Sequence, residues 1–304
     1  MATSNPGRLI DTEPTMLKHR LLFGTLMVAA FAGLMILDGY LDGSLTLAAA
    51  NSPIQANILC LLIILLTIPA QLELAHLITR TGAKVFRPVV MAASILLATG
   101  WYWRQFSGKP LDFHLYYMLF VSAFSLFALL LQEGLRFGPG GAIANCSAGF
   151  FAVFYLGFLS GFVLGIRIDF GLWQLLMFVF TVKSSDIGAY TIGTLFGKHK
   201  CSPKISPGKS WEGLAGAVVF ASIVAVVFSH FCGIMNLWSA VIFGAGFAIF
   251  GQLSDLAESM IKRDAEQKDS SNTVPGYGGI LDIIDSPLAT APVAYLFFML
   301  TVGR

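Results

Sequence analysis

Apolar runs close to twenty residues long recur from one end of this chain to the other, and that recurrence restricts the fold more than any other feature. They lie at about 21–37, 55–76, 86–103, 114–132, 142–165, 170–197, 212–232, 236–261 and 284–302. A helix of about 20 apolar residues spans the hydrocarbon core of a bilayer. Inside lipid, every backbone N–H and C=O must be satisfied within the protein, which leaves helices or closed barrels. Continuous apolar runs, rather than short alternating ones, select helices. The expected fold class is therefore all-α, a polytopic integral membrane protein with about nine transmembrane helices. Charged residues make up 12% of the chain, about half the share in a soluble domain. The net charge of +2 is too small to indicate a nucleic-acid partner. Cys60, Cys146, Cys201 and Cys232 show no paired spacing, so neither a metal centre nor a disulfide framework is expected. The first run follows Lys18, His19 and Arg20 and outlasts the apolar core of a leader peptide. The nearest small-residue site, Ala48–Ala50, lies far beyond it, so the run reads as a retained helix.

Nine crossings put the termini on opposite sides, and Lys/Arg placement sets the orientation. With a cytosolic N-terminus, fourteen Lys and Arg fall inside: Arg8, Lys18, Arg20, Arg80, Lys84, Arg87, Arg136, Lys198, Lys200, Lys204, Lys209, Lys262, Arg263 and Lys268. Only Arg104, Lys109, Arg167 and Arg304 fall outside. The organisation expected is a cytosolic segment at 1–20, a scaffold of about five helices at 21–168, and a functional transmembrane region at 169–304 with cytosolic loops 198–210 and 262–283. The first half carries no motif to which chemistry attaches. Glu73 and His76, three residues apart near the end of the second run, read as an interfacial pair.

The densest charge sits in residues 251–287, GQLSDLAESMIKRDAEQKDSSNTVPGYGGILDIIDSP. The apolar run before it passes without a helix breaker into Ser254, Asp255, Glu258, Ser259 and Lys262, which share one helical face. Asp282 and Asp285, three apart, point the same way from a helix starting nearby. Carboxylates converging beside Lys262, Arg263 and Lys268 at a membrane edge suit a divalent cation holding a phosphorylated substrate, because Mg2+ takes hard oxygen ligands and shares them with phosphates. A solvated interhelical loop is the plainer alternative.

The sixth run ends TVKSSDIGAYTIGTLFGKHK, with Lys183 and Asp186 three apart in a segment still partly within the bilayer, where ionisable groups are costly and mark function. Asp186, Tyr190, Gly193 and Gly197 fall on one stripe, whose glycines allow close approach by a helix or ligand. A structural ion pair on a packing face is the alternative. Next, CSPKISPGKSWEG breaks the helix at Pro203 and Pro207 and restarts it near Ser210. The fragment GKS does not make a phosphate loop, since the required glycine position is Pro203 and no strand precedes it. Ser206, Lys209, Ser210 and the amides of a helix starting near Trp211 remain a candidate anion-binding mouth.

Together, ISPGKSWEG and the 251–287 segment resemble the phosphatidate cytidylyltransferases, also called CDP-diacylglycerol synthases, over roughly residues 170–300. Ser259, Lys262, Arg263, Lys268, Asp269, Pro275, Gly276, Gly278, Gly279, Asp282 and Asp285 match that family's pattern in order and spacing. Asp186, Ala189, Tyr190, Gly193, Ser206, Pro207, Lys209, Glu212 and Gly213 resemble its upstream element. Two departures stand out: Tyr277 replaces the family's histidine, and Ile283 replaces the arginine between the aspartates. Isoleucine makes no contact with phosphate. Either another cation, such as Arg263, takes the arginine's place, or the chain is a diverged member.

The resemblance implies transfer of a cytidylyl group from CTP to phosphatidic acid of the inner leaflet, yielding CDP-diacylglycerol and pyrophosphate at the cytosolic face of the inner membrane. On this reading Asp255, Asp282 and Asp285 hold Mg2+, with K+ as a candidate second cation. Lys209, Lys262 and Arg263 neutralise phosphates beside Asp282. Asp186, Tyr190, Ser206, Ser210, Lys268 and Tyr277 bind substrate, and a homodimer is implied. Three alternatives stay open: a nucleotidyltransferase acting on another lipid phosphate such as an isoprenoid phosphate, a cation-coupled transporter using Asp186, Asp255 and Asp282, and an inactive family member.

Overall fold

The computed structural model describes residues 13–45, 54–107, 110–271, 273–274 and 278–302. Among them the chain is helical throughout, with two isolated β-bridges, Lys200 to Ser210 and Val274 to Gly278, and no strand. The helices are α1 (Glu13–Leu41), α2 (Asn57–Arg80), α3 (Arg87–Ala98), α4 (Gly100–Arg104), α5 (Pro110–Arg136), α6 (Ala142–Ala152), α7 (Leu159–Asp169), α8 (Leu172–Phe196), α9 (Trp211–Cys232), α10 (Leu237–Asp264) and α11 (Leu281–Thr301). A π-helical turn, Val153–Phe158, joins α6 to α7 without interruption.

Seven of the described helices are long and apolar enough to cross a membrane: 57–80, 112–136, 142–169, 172–196, 211–232, 237–264 and 281–301. Among the described residues two further apolar helices are shorter, Leu26–Leu41 and Arg87–Ala98, so the expected count of about nine is not confirmed. In the 86–103 run, α3 stops at Ala98 and Thr99 leaves helical geometry at φ −94°, ψ 4°. Its 12 residues rise about 18 Å by themselves, and the run continues through α4 to Arg104. The short α4 then carries Trp101, Tyr102 and Trp103 into polar contacts: the Trp101 indole donates to Asp169 and the Tyr102 hydroxyl to Asn57. Among the described residues, α1 supplies the shorter apolar helix Leu26–Leu41.

Glycine contacts account for the tightest packing. α8 packs most extensively on α9, and α9 on α10. A Cβ on Gly188 of α8 would lie 2.6 Å from the Gly216 carbonyl oxygen of α9, so only glycine lets these backbones touch. Gly193 and Gly213 face each other one turn further on, so the sequence stripe serves helix packing at that position. Phe178, Phe243, Phe247 and Phe298 are fully buried where α8, α10 and α11 meet.

At the end of the bundle where α2 begins, Asp38 and Asp42 accept from the Ile58 and Ala56 amides. They thereby satisfy donors that a helix start leaves open. Both carboxylates also pair with the fully buried Arg167 of α7, at 3.3 and 2.6 Å. This cluster staples α1, α2 and α7 together. The functional candidates gather at the opposite end, where α2, α8 and α10 finish and α11 starts.

Candidate functional site

Five segments build one pocket of ≈260 Å³, lined by Asp186, Lys209, Asp255, Glu258, Ser259, Lys262, Asp269, Asp282, Asp285 and Ser286. α10 runs unbroken from apolar Leu237 to Asp264, so its 3.6-residue period puts Asp255, Glu258, Ser259 and Lys262 on one face. α11 starts at Leu281, and its first turn presents Asp282, Asp285 and Ser286 toward that face. Asp186 comes from α8, and Lys209 from the turn before α9.

The lysines bridge the acids. Lys209 Nζ donates to Asp255 Oδ2 and to the Gln252 carbonyl, both at 2.9 Å. Ser286 Oγ donates to Asp255 Oδ1 at 2.6 Å. Lys262 Nζ reaches Glu258 Oε2 at 2.8 Å and Asp282 Oδ1 at 3.2 Å. Asp282 also accepts from the Gly279 amide at 2.8 Å and from the Ser270 amide. Lys183, one turn before Asp186, pairs with it at 3.3 Å and donates to the Ile283 carbonyl at 2.9 Å. That carbonyl is the one Pro287 orphans, because proline lacks the N–H that would bond four residues back. Lys183 therefore caps a gap in α11 and brings a positive charge beside residue 283.

Six carboxylates and two lysines line this space; with Lys183 the acids still outnumber the bases. Asp186 Oδ1 and Glu258 Oε1 are buried without a hydrogen-bond partner. Buried, unpaired carboxylate oxygens are expensive, and hard oxygen donors in excess are what a divalent cation such as Mg2+ takes. The donor chemistry fits a cation. No three His, Cys, Asp or Glu among the described residues stand in a ready-made ligand arrangement: Asp255, Asp282 and Asp285 share the pocket, with Asp255 and Asp282 engaged by lysines and hydrogen-bond donors.

Of the residues singled out from the sequence, the pocket gathers Asp186, Lys209, Asp255, Lys262, Asp282 and Asp285. Others stand apart. Tyr190 is 56% exposed and faces outward. Ser210 is buried as the N-cap of α9, accepting from the Gly213 amide at 3.1 Å, while the Trp211 amide donates to His199. The expected anion mouth at the start of α9 thus has these donors already committed. Ser206 forms the turn that carries Lys209, accepting the Lys209 amide on its carbonyl. Arg263 is exposed and ties the Ile205 and Gln267 carbonyls, so it does not take the place of the missing arginine. Lys268 is exposed and outside the lining. Tyr277, with Pro275 and Gly276, lies outside the described residues.

Three contributors were not assigned a role from the sequence. Glu258 continues the Asp255 face and so was visible as a helical stripe. Tyr155 is delivered by the π-helical turn, with its hydroxyl buried and unpartnered in the field of Asp285, Glu258, Asp255 and Asp282. Glu73 of α2 does not pair with His76, whose ring accepts from Arg80 instead. Glu73 takes hydrogen bonds from Ser270, Ser271, Thr273, Ile280 and Leu281. No sequence signal links residues some 200 positions apart.

Fold and site together define a polytopic helical membrane protein with an acid-rich, lysine-bridged pocket at the ends of its spanning helices. The pattern of the Cytidylyltransferase family matches residues 18–301, and the chain belongs to that family. It is 43% identical over 134 residues to a phosphatidate cytidylyltransferase of Haemophilus influenzae, covering 42% of this chain and 46% of that one. It is 38% identical over 154 residues to the Bacillus subtilis protein of the same name, covering 50% and 56%. With the Mycobacterium bovis protein of that name it shares 35% over 163 residues, 53% of each. The chain thus spans about half the length of the curated relatives it matches.

Proposed function

We propose that this protein transfers the cytidylyl group of CTP to phosphatidic acid, releasing pyrophosphate and leaving CDP-diacylglycerol in the membrane. One observation carries the reading: a pocket with excess carboxylates and bridging lysines sits at the ends of spanning helices, in a chain whose relatives are named for this reaction. The location suits a substrate with acyl chains in lipid and a phosphate in water. An ion-coupled transporter would place such groups nearer mid-bilayer, at broken helices of related halves.

A phosphatidate oxygen is already anionic near neutral pH, so its attack needs positioning and charge neutralisation rather than a dedicated base. The new bond joins that oxygen to the α-phosphorus of CTP, the α–β bridging P–O bond breaks, and pyrophosphate leaves with the electron pair. Lys209 and Lys262, held 2.9 and 2.8 Å from their acid partners, are preorganised donors for the phosphates. Lys183, beside Ile283, brings a cation to the stretch where the family's arginine is missing. Bound Mg2+ would neutralise the triphosphate and assist pyrophosphate departure; Asp255, Asp282 and Asp285, with Glu258 and Asp186 adjacent, would hold it. The orientation we propose has the N-terminus and this pocket at the cytosolic face of the inner membrane, the side that the Lys/Arg asymmetry favours.

The test is a substrate panel on protein purified in detergent. CTP against ATP, GTP and UTP, and phosphatidic acid against an isoprenoid phosphate, are scored for pyrophosphate release with Mg2+ or EDTA. Release confined to CTP, phosphatidic acid and Mg2+ supports the reading. Release with the isoprenoid phosphate alone, or turnover unaffected by EDTA, overturns it.

A further inference from the structure

The first half of the chain contributes a carboxylate on which the charged segment between α10 and α11 is hung. Glu73 lies in the last two turns of α2 with 8% of its surface exposed. Its Oε1 accepts from Ser271 Oγ at 2.7 Å, the Ile280 amide at 3.1 Å and Thr273 Oγ1 at 3.2 Å. Its Oε2 accepts from the Leu281 amide at 2.9 Å and Ser270 Oγ at 3.1 Å. All five donors come from one short stretch about 200 residues downstream. Two of them are amides at the start of α11, where a helix leaves N–H groups open and favours a negative charge.

Ser270 connects this anchor to the pocket. Its hydroxyl donates to Glu73, while its amide donates to Asp282 at 3.2 Å. Asp282 in turn accepts from the Gly279 amide and Lys262. Gly279 is wedged between Ser270 Oγ and the Glu73 carboxylate, where a Cβ would collide with both. Moving Glu73 therefore moves Ser270, and with it two of the three groups that orient Asp282.

We propose that Glu73 is a positioning residue for the proposed cytidylyl transfer: it touches no reacting group but fixes the Ser270–Asp282 geometry and the start of α11. A helix of the presumed scaffold thereby becomes part of the functional unit. A purely structural residue would shift bundle stability as a whole. A positioning residue shifts local order and turnover, with substrate binding much less affected.

The experiment compares wild-type protein with Glu73→Ala and Glu73→Gln, full length in detergent, by amide hydrogen exchange and by cytidylyl transfer from labelled CTP to phosphatidic acid. The inference rests on the proposed function only for the turnover arm, so the exchange arm decides independently if the wild-type protein transfers no label. In Glu73→Ala, peptides covering 266–283 should exchange at least tenfold faster, while those from α6–α7 keep wild-type protection. kcat should fall at least tenfold with KM for CTP changed less than threefold. Glu73→Gln keeps an acceptor oxygen and can donate to the hydroxyls, so it should recover part of both. Unchanged exchange at 266–283, equal deprotection throughout the bundle, kcat within twofold of wild type, or no recovery in the glutamine variant would each overturn the assignment.

Discussion

Replacing Lys262 by methionine removes the cation that bridges Glu258 and Asp282. Its side chain is 12% exposed, and those of the two acids are 6% and 8% exposed. On a solvated helix a Glu–Lys pair four residues apart is worth only about 0.3–0.5 kcal/mol. Here burial dominates, because deleting the lysine strands two carboxylates in a poorly hydrated space, one with its second oxygen already unpartnered. Removing one partner from a buried pair costs about 3–5 kcal/mol, and that is the loss expected for Lys262→Met. Glu258→Gln in the same molecule removes one stranded charge, so the double variant should be more stable than Lys262→Met alone, with a coupling energy of about 1–3 kcal/mol. Denaturant-induced unfolding in detergent micelles, followed by circular dichroism in the presence of EDTA, measures all four corners of this cycle. A Lys262→Met variant within about 0.5 kcal/mol of wild type, the range of surface substitutions, would refute the buried-bridge account.

Lys183→Met should lower cytidylyl transfer about a hundredfold, the scale for losing one preorganised donor, and Lys183→Met with Ile283→Arg should regain at least tenfold; equal rates for the wild-type and single-variant proteins would dismiss the compensating charge. Gly188→Ala forces a Cβ to 2.6 Å from the Gly216 carbonyl oxygen. It should cost about 1–3 kcal/mol, visible as an earlier unfolding transition, and an unchanged transition would show that the α8–α9 contact yields freely. Ser210→Ala loses the cap on Gly213 and should cost about 1 kcal/mol, with KM for CTP unchanged; a raised KM would return Ser210 to the substrate site.

How much of this was legible in the sequence follows from the range over which each signal acts. The α10 face of Asp255, Glu258 and Lys262 and the Asp282–Asp285 turn are local periodicities, so they were readable one helix at a time. The glycines of α8 were readable as a contact stripe, though Tyr190 on the same stripe turns outward. The 86–103 run is divided at Thr99 into α3 and α4, a break that hydropathy alone does not register. Lys209, in the turn before α9, and Arg263, in the last turn of α10, are both cations beside the charged segments. Only tertiary placement separates the one bound to Asp255 from the one bound to surface carbonyls. Glu73, Tyr155 and the link from Lys183 to Ile283 depend on which distant helices touch, and neither period nor spacing encodes that.

The central claim is that the pocket carboxylates serve cytidylyl transfer, and Asp285 tests it most directly. Asp285 lines the pocket and is buried, and the Ser286 hydroxyl 3.3 Å from it gives its one proton to Asp255 at 2.6 Å, so Asp285→Asn changes charge with little change in shape. The measurement is label transferred from radioactive CTP into the lipid phase, with phosphatidic acid and Mg2+, for wild type and Asp285→Asn matched in unfolding midpoint. The account predicts labelled lipid from the wild type and at least a hundredfold less from the variant. Equal labelling by the two proteins would contradict it.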